Sequence, residues 1–252
     1  ADQRRAAWSD VARRIAHEIK NPLTPIQLAA ERLQRRFGKH IAQDEAIFAQ
    51  LTSTIVRQVG DLRNIVDEFS SFARMPKPLF RSENVHDIVG HAVFMFEVAH
   101  PDIRFRYNQD GPFPTLISDR RQLGQAITNI LKNAVESIEE KKKTVEVDGA
   151  IVVDLVVEGD GLIIRIADNG IGLPPDRKRI MEPYITNRAT GSGLGLAIVK
   201  KIIEEHFGEI SLSDNQPAGA VVTLKFNPEI VALRVGKLNA APPAVNSDED
   251  MG

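Results

Sequence analysis

The chain has 252 residues, of which 42% are hydrophobic and 26% are charged, a composition typical of a globular protein. Its formal net charge of −2 gives neither a basic field for direct nucleic-acid binding nor the acidic excess of a disordered chain. Cysteine is absent, which excludes disulfides and thiolate metal sites. No apolar run is long enough to cross a bilayer, and helical sequence begins at once, so we expect part of a longer protein.

The first part of the chain predicts two long helices. Steps of four and three residues trace an apolar seam from Trp8 to Leu33, broken only by Pro22, and a second from Phe48 to Phe72. A glycine and polar residues between the seams predict a turn, and hence an antiparallel hairpin. Two helices alone bury little apolar surface, so two hairpins should pair into a four-helix bundle in a homodimer. The alternative is a hairpin that packs on the rest of its own chain.

The stretch "ARMPKPLF" at residues 73–80 predicts a short linker, because proline disfavours continued helix. The pattern beyond it predicts an α/β layer with a mostly antiparallel or mixed sheet, in which Asp119 caps a long helix. The predicted domains are residues 1–77 and 78–230, followed by a disordered tail at 231–252. Predicted helices cover about 84–99, 119–140 and 193–207, and predicted strands about 103–107, 149–168 (a hairpin), 209–214 and 220–226.

Three polar motifs follow the linker. In "NILKNAVESI" the helical repeat places Asn129 and Asn133 one turn apart on one face, with apolar residues on the opposite face. Carboxamide oxygens suit Mg²⁺ that phosphates already coordinate in part. In "ADNGIGLPP" Asp168 leaves a strand end, where it could accept from an exocyclic amine, and Gly170 and Gly172 let the backbone approach a flat ligand. A solvated helix face and an ordinary Asn-Gly turn are the simpler alternatives.

The third motif, "GSGLGLAIVKKI", places Gly191, Gly193 and Gly195 before and at the start of a helix. The first N–H groups of a helix lack partners within it, and they favour phosphate together with the helix dipole. A dinucleotide-binding fold is disfavoured, because its fingerprint has different glycine spacing and directly follows a strand.

Together with "HEIKNPL" at residues 17–23, these motifs in this order resemble the sensor histidine kinases of two-component systems. The resemblance covers residues 8 to about 228 and implies a hairpin that forms a dimeric four-helix bundle, followed by an α/β sandwich of the gyrase and histidine kinase type. The stretch "TIVRQVGDLRNIVDEFSSFARMPKP" further resembles the nitrogen-regulation sensors of the NtrY type.

The resemblance implies roles for the first helix. His17 would accept the γ-phosphoryl group of ATP, and Glu18 would take the ring proton. Asn21 would orient a water that dephosphorylates the partner. Pro22 would bend or loosen the helix beside His17 and so let helix motion control access to it.

For the nucleotide, the resemblance assigns Asp168 to the adenine amine, Asn133 to Mg²⁺, and Asn129 to support of the metal or phosphates. Residues 174–192 would form a lid over ATP. Tyr184 and Ser192 stand where many relatives have phenylalanine and threonine. Further residues assigned to nucleotide binding are Gly170, Gly172, Tyr184, Arg188, Gly191, Ser192, Gly193, Leu194 and Gly195.

The implied function is ATP-dependent phosphorylation of the chain's own histidine, then transfer to an aspartate on an NtrX-like response regulator receiver domain, in nitrogen or redox control. Regulator phosphatase activity is also expected. The resemblance places this chain in the cytoplasmic portion of a bacterial inner-membrane protein, attached through segments absent here. Alternatives are a nucleotide-binding scaffold or phosphatase that makes no phosphohistidine, and a gyrase-like ATPase. The ATPases carry a glutamate at the place of Asn129, which favours transfer over hydrolysis.

Overall fold

The computed structural model describes residues 2–37, 45–73, 75–109, 114–175, 177, 180–182 and 193–240. The chain divides into two compact units. The first contains residues 1–77 and 179–197, and the second contains residues 78–178 and 198–252. Among the described helices, none has the length and apolar character needed to span a bilayer.

Two long helices make up the described part of residues 1–77. They are α1 (Asp2–Phe37) and α2 (Glu45–Ala73). An ion pair between Lys20 of α1 and Asp67 of α2 fits antiparallel packing, and the predicted helical hairpin is confirmed. Helix α1 continues through both Pro22 and Pro25. The bend proposed beside Pro22 stays a prediction.

The predicted seams are not the surfaces that join α1 to α2. The buried positions of the hairpin follow heptad spacing, but they are mostly small residues that the seams omit. The large apolar residues of the seams lie at the surface of the single chain; Ile26, for example, is 46% exposed. Buried residues are Ala16, Leu23 and Ala30 in α1 and Thr52, Val59 and Val66 in α2; exposed seam residues include Ile19, Ile26, Leu33, Leu51, Ile55, Leu62 and Ile65.

The rest of the chain alternates helices and strands. In chain order the elements are β1 (Arg81–Glu83), α3 (Val85–Ala99), β2 (Ile103–Gln109), β3 (Leu116–Ser118), α4 (Arg120–Lys142), β4 (Gly149–Glu158), β5 (Gly161–Asp168), α5 (Gly195–Glu205), β6 (Glu209–Asp214), β7 (Ala220–Phe226) and α6 (Pro228–Ala240). The helices predicted near 84–99 and 119–140 and the predicted hairpin are confirmed. The short strands β1 and β3, which pair with each other, were not predicted.

Five strands form the main sheet in the order β2-β4-β5-β7-β6. Strand β2 runs parallel to β4, and the remaining pairings are antiparallel, so the sheet is mixed as predicted. Helix α4 packs on β4 and β5 through an apolar face that is fully or almost fully buried. That face includes Leu123, Ile127, Ile130, Leu131, Ala134 and Ile138.

Helix α6 corrects the predicted tail. Residues 231–240 are helical rather than disordered, and Val231 and Val235 are buried one turn apart. The side chain of Asn227 accepts the N–H of Ile230 at 3.0 Å and so caps the helix. Two buried valines form too short a pattern to predict a helix. Residues 241–252 lie outside the described part of the chain.

Candidate functional site

The first turn of α4 is fixed by Asp119. Its carboxylate accepts backbone N–H groups from Arg121 and Gln122 at 2.9 and 3.1 Å, and from Leu79 at 2.9 Å. Burial raises the pKa of Asp119, but the hydrogen bonds from these three N–H groups and the charge of Arg121 lower it, and the net pKa lies below its ordinary value. An ionised cap at the positive end of the helix dipole therefore anchors the start of α4.

The two predicted carboxamides lie further along this helix. Asn129 and Asn133 are half-buried and one turn apart, on the side of α4 opposite its apolar face. Lys132 and Glu136 form an ion pair at 4.0 Å beside them. The structure therefore places both carboxamides together on the polar side of α4, as the helical repeat predicts.

Asp168 ends strand β5 and is bonded to α4. Its side chain is buried, with 6% of the residue exposed. Oδ1 accepts the backbone N–H of Gly170 at 2.8 Å and the hydroxyl of Ser137 at 3.3 Å. Since Ser137 follows Asn133 by one helical turn, Asp168 is bonded to α4 one turn beyond the carboxamide of Asn133.

Glycine is required at three positions around Asp168, for different structural reasons. A Cβ on Gly170 would lie 2.2 Å from Oγ of Ser137, so no larger residue fits against α4. Gly172 has φ of +81°, in the left-handed region that favours glycine. A Cβ on Gly219, in the turn between β6 and β7, would lie 1.9 Å from the carbonyl oxygen of Asp168. Close packing thus accounts for Gly170, backbone conformation for Gly172, and both for Gly219, whose φ is +111°.

The remaining candidate residues are only partly described. In the third motif, Gly193 has φ of +69°, Leu194 is fully buried and Gly195 begins α5. At the other end of the chain, Asn21 is exposed on α1, one turn after His17. His17 and Glu18 belong to α1, but their side chains lie outside the described part; outside it altogether lie Tyr184, Arg188, Gly191 and Ser192.

Two family models match the chain. One, described as the His Kinase A (phospho-acceptor) domain, matches residues 7–78, and the other, described as a histidine kinase-, DNA gyrase B-, and HSP90-like ATPase, matches residues 118–230. The chain belongs to the sensor histidine kinase family. The second match includes Asn129, Asn133 and Asp168, so these three residues lie in a region that resembles the ATPase family.

Relatives of this chain extend the comparison. The nitrogen regulation protein NtrY of Azorhizobium caulinodans is 54% identical over 229 residues, which are 90% of this chain and 30% of that protein. Full-length ShkA in complex with AMPPNP gives a TM-score of 0.64 at 21% identity, covering 86% of this chain and 45% of ShkA. ThkA in complex with the response regulator TrrA gives 0.62 at 23% identity, covering 90% and 64%. At these identities the two solved kinases show the fold alone.

Sequence reasoning missed the residues that hold Asp168 and its loop. Ser137 lies within the motif "NILKNAVESI", but a serine near the end of a polar helix face does not by itself predict a contact with Asp168. Asn215 donates from Nδ2 to the carbonyl oxygen of Asp168 at 2.8 Å. Asn169 accepts the N–H of Ala150 at 2.9 Å, and its own carbonyl oxygen accepts from Lys141 at 2.6 Å.

The described residues fit a magnesium ion that phosphates help to coordinate. Among them, no group of three or more histidine, aspartate or glutamate side chains could hold a metal ion without other ligands. The carboxamide oxygen of Asn133 is a hard, neutral donor, and Asn129 lies one turn before it on α4. Such a donor suits an octahedral ion that takes its other ligands from water and phosphate oxygens.

Proposed function

We propose that this chain is the catalytic core of an ATP-dependent protein-histidine kinase that phosphorylates His17. The neutral imidazole of His17 attacks the γ-phosphorus of ATP, the bond from that phosphorus to the bridging oxygen breaks, and ADP leaves with that oxygen. Glu18 takes the proton that the ring nitrogen loses. The observation that carries the proposal is the junction of α4 and β5, where Ser137 bonds Asp168 one turn after Asn133.

Within this junction, each residue has a distinct role. The Asp168 carboxylate accepts from the 6-amino group of adenine, while Asn133, supported by Asn129, holds Mg²⁺. When bound, Mg²⁺ neutralises phosphate charge. The assigned contacts to the rest of ATP follow the family pattern and comprise Gly170, Gly172, Tyr184, Arg188, Gly191, Ser192, Gly193, Leu194 and Gly195.

We further propose that the active kinase is a homodimer. The large apolar residues of the predicted seams, among them Ile26 and Leu62, are exposed on the single hairpin. Pairing two hairpins would bury this surface in a four-helix bundle. Large apolar residues exposed at regular spacing along two helices are typical of an interface with another chain.

We propose that phospho-His17 transfers its group to an aspartate of an NtrX-like receiver domain. Asn21, one turn after His17, would orient water for the reverse dephosphorylation. Support comes from the NtrY relative; ThkA, which shares the fold, has been solved in complex with a response regulator. Control of nitrogen or redox metabolism, the cytoplasmic location and attachment to the inner membrane stay predictions.

The test of the kinase is labelling with γ-labelled ATP and Mg²⁺. We expect label on the protein that acid removes and alkali does not, as for a phosphorus–nitrogen bond. His17→Gln should abolish the label and leave ATP binding intact, whereas His91→Gln, which changes an exposed histidine of α3, should label like the wild type. Equal labelling of His17→Gln would reject the proposal, and ATP hydrolysis without any label would favour the ATPase alternative.

A further inference from the structure

The hydroxyl of Ser137 links two groups, the backbone N–H of Ile171 and the carboxylate of Asp168. Its Oγ accepts the backbone N–H of Ile171 at 3.1 Å and lies 3.3 Å from Oδ1 of Asp168. A hydroxyl carries one proton, and Ile171 supplies its own, so the Ser137 proton points to the carboxylate. Only 4% of Ser137 is exposed, which keeps water from replacing it without rearrangement.

The same oxygen of Asp168 has a second donor. The backbone N–H of Gly170 lies 2.8 Å from Oδ1. With two donors on one oxygen, the carboxylate is held in one rotamer and presented as an acceptor. A Cβ on Gly170 would overlap Ser137, so this arrangement also fixes how closely the loop approaches α4.

The main chain of Asp168 is held independently of Ser137. Asn215 donates to its carbonyl oxygen at 2.8 Å, and the residue pairs with Ile151 in the β4–β5 ladder. Loss of the Ser137 hydroxyl should therefore loosen the carboxylate side chain, which keeps its bond to the N–H of Gly170, while the strand end stays in place. This separation distinguishes a positioning role from general support of the fold.

From this geometry we infer that Ser137 is a positioning residue that sets the preference of the nucleotide site for a 6-aminopurine. The inference rests on the proposed contact between Asp168 and the adenine amine. A carboxylate held by two donors meets an amine with correct geometry, whereas a ring without that amine gains nothing from the alignment. The Ser137 hydroxyl thus strengthens the contact between Asp168 and the 6-amino group of ATP. It contributes little to the binding of the sugar and phosphates.

The experiment compares ATP with purine riboside 5′-triphosphate, which lacks the 6-amino group, by calorimetric titration of the full chain with Mg²⁺. In Ser137→Ala we expect ATP affinity to fall by about three- to tenfold, the loss expected for one hydrogen bond. Affinity for the analogue should change by less than about twofold, so the ratio of the two affinities shrinks. Ser118→Ala, which also removes a buried serine hydroxyl, is the matched control and should leave the ratio unchanged.

Two further variants keep the outcomes distinct. Asp168→Asn should remove the preference altogether; a preference that survives there would overturn the proposed adenine contact itself. If Asp168→Asn loses the preference and Ser137→Ala keeps the wild-type ratio, the role of Ser137 is wrong and the proposed site stands. Should Ser137→Ala fail to fold, Ser137→Cys keeps the side chain's size with a weaker donor and should shrink the ratio in the same direction.

Discussion

The helical hairpin and the α/β unit bury different kinds of residue. In the hairpin the buried positions are mostly small, such as Ala16 and Ala30, while larger residues such as Ile26 lie at the surface. In the α/β unit large aliphatic residues, including Leu123 and Leu131, are fully buried against the sheet. The α/β unit thus buries large side chains within one chain, whereas the hairpin buries mostly small ones and leaves its seam residues at the surface, where the proposed dimer would cover them.

The largest effect should follow from a charge on the exposed hairpin surface. We expect Ile26→Lys to weaken dimerisation by about 100-fold or more, because each copy would bring an unpaired cation into the bundle and a two-fold dimer repeats the change. Analytical ultracentrifugation over a concentration series measures this constant. Phe94→Lys, at a position 60% exposed on α3, is the matched control and should not alter it. A dimer equally stable in both variants would mean that the hairpin surface is not the interface.

A cavity in the α/β core should have the next largest effect. Leu131→Ala removes a fully buried side chain and should lower the free energy of unfolding of this unit by about 2–5 kcal/mol. Amide hydrogen exchange along β5 reports that free energy separately from the hairpin. The comparison variant is Leu28→Ala on the exposed side of α1, which should leave β5 exchange unchanged. Unaltered exchange in Leu131→Ala would contradict a core completed within this unit.

A smaller effect should depend on pH through His206. This ring is fully buried; Nε2 accepts the N–H of Asp119 at 3.0 Å, and Nδ1 bonds the carbonyl oxygen of Ile202 at 2.8 Å, which requires a neutral ring. Burial lowers the pKa of His206 below 6.5, although the bond to Ile202 and the charge of Asp119 act to raise it. The unfolded chain therefore binds a proton more readily, and stability should be full above about pH 6.5 and decline as pH falls below it.

The measurement for His206 is amide exchange in α4 between about pH 7.5 and pH 5.5, corrected for intrinsic exchange rates. His206→Gln removes the titration and should flatten this part of the pH dependence. His91→Gln, which changes an exposed histidine, should keep it. A wild-type slope in His206→Gln would assign the pH dependence to another group.

The smallest effect should come from the ion pair between Lys20 and Asp67. Both side chains are partly exposed, so we expect a coupling free energy of about 0.2–1 kcal/mol. A double-mutant cycle of Lys20→Ala and Asp67→Ala, followed by thermal unfolding at low and high salt, measures it. Coupling above about 2 kcal/mol would show that charge, and not apolar packing, joins the two helices.

Periodicity and short-range chemistry predicted much of the fold. The long helices, the β-hairpin and the Asp119 cap depend on residues near one another in sequence, and all were found. Strands β1 and β3 are three residues each and show no usable alternation. Heptad counting identified apolar faces of the hairpin helices but not which face packs inside one chain. Helix packing within one chain and helix packing between two chains require the same repeat.

The candidate site shows the same limit. Its motifs identified Asp168 and Asn133, because their spacing in sequence resembles a known family. The supporting residues Ser137 and Asn215 lie 31 and 47 positions from Asp168, so their contacts appear only after the chain folds. Motifs therefore located the groups proposed to touch the nucleotide, and the structure was needed to show what holds them.

The hydrogen bond between Leu79 and Asp119 has a mechanical consequence. Leu79 follows closely on the linker, and Phe80 beside it packs its ring against His206 at 5.3 Å between centroids. Following the chain from the linker, the backbone N–H of Leu79 bonds the capping carboxylate of α4 before the first strand begins. Tension along the linker would act on the helix that carries Asn129 and Asn133 before it reached β5.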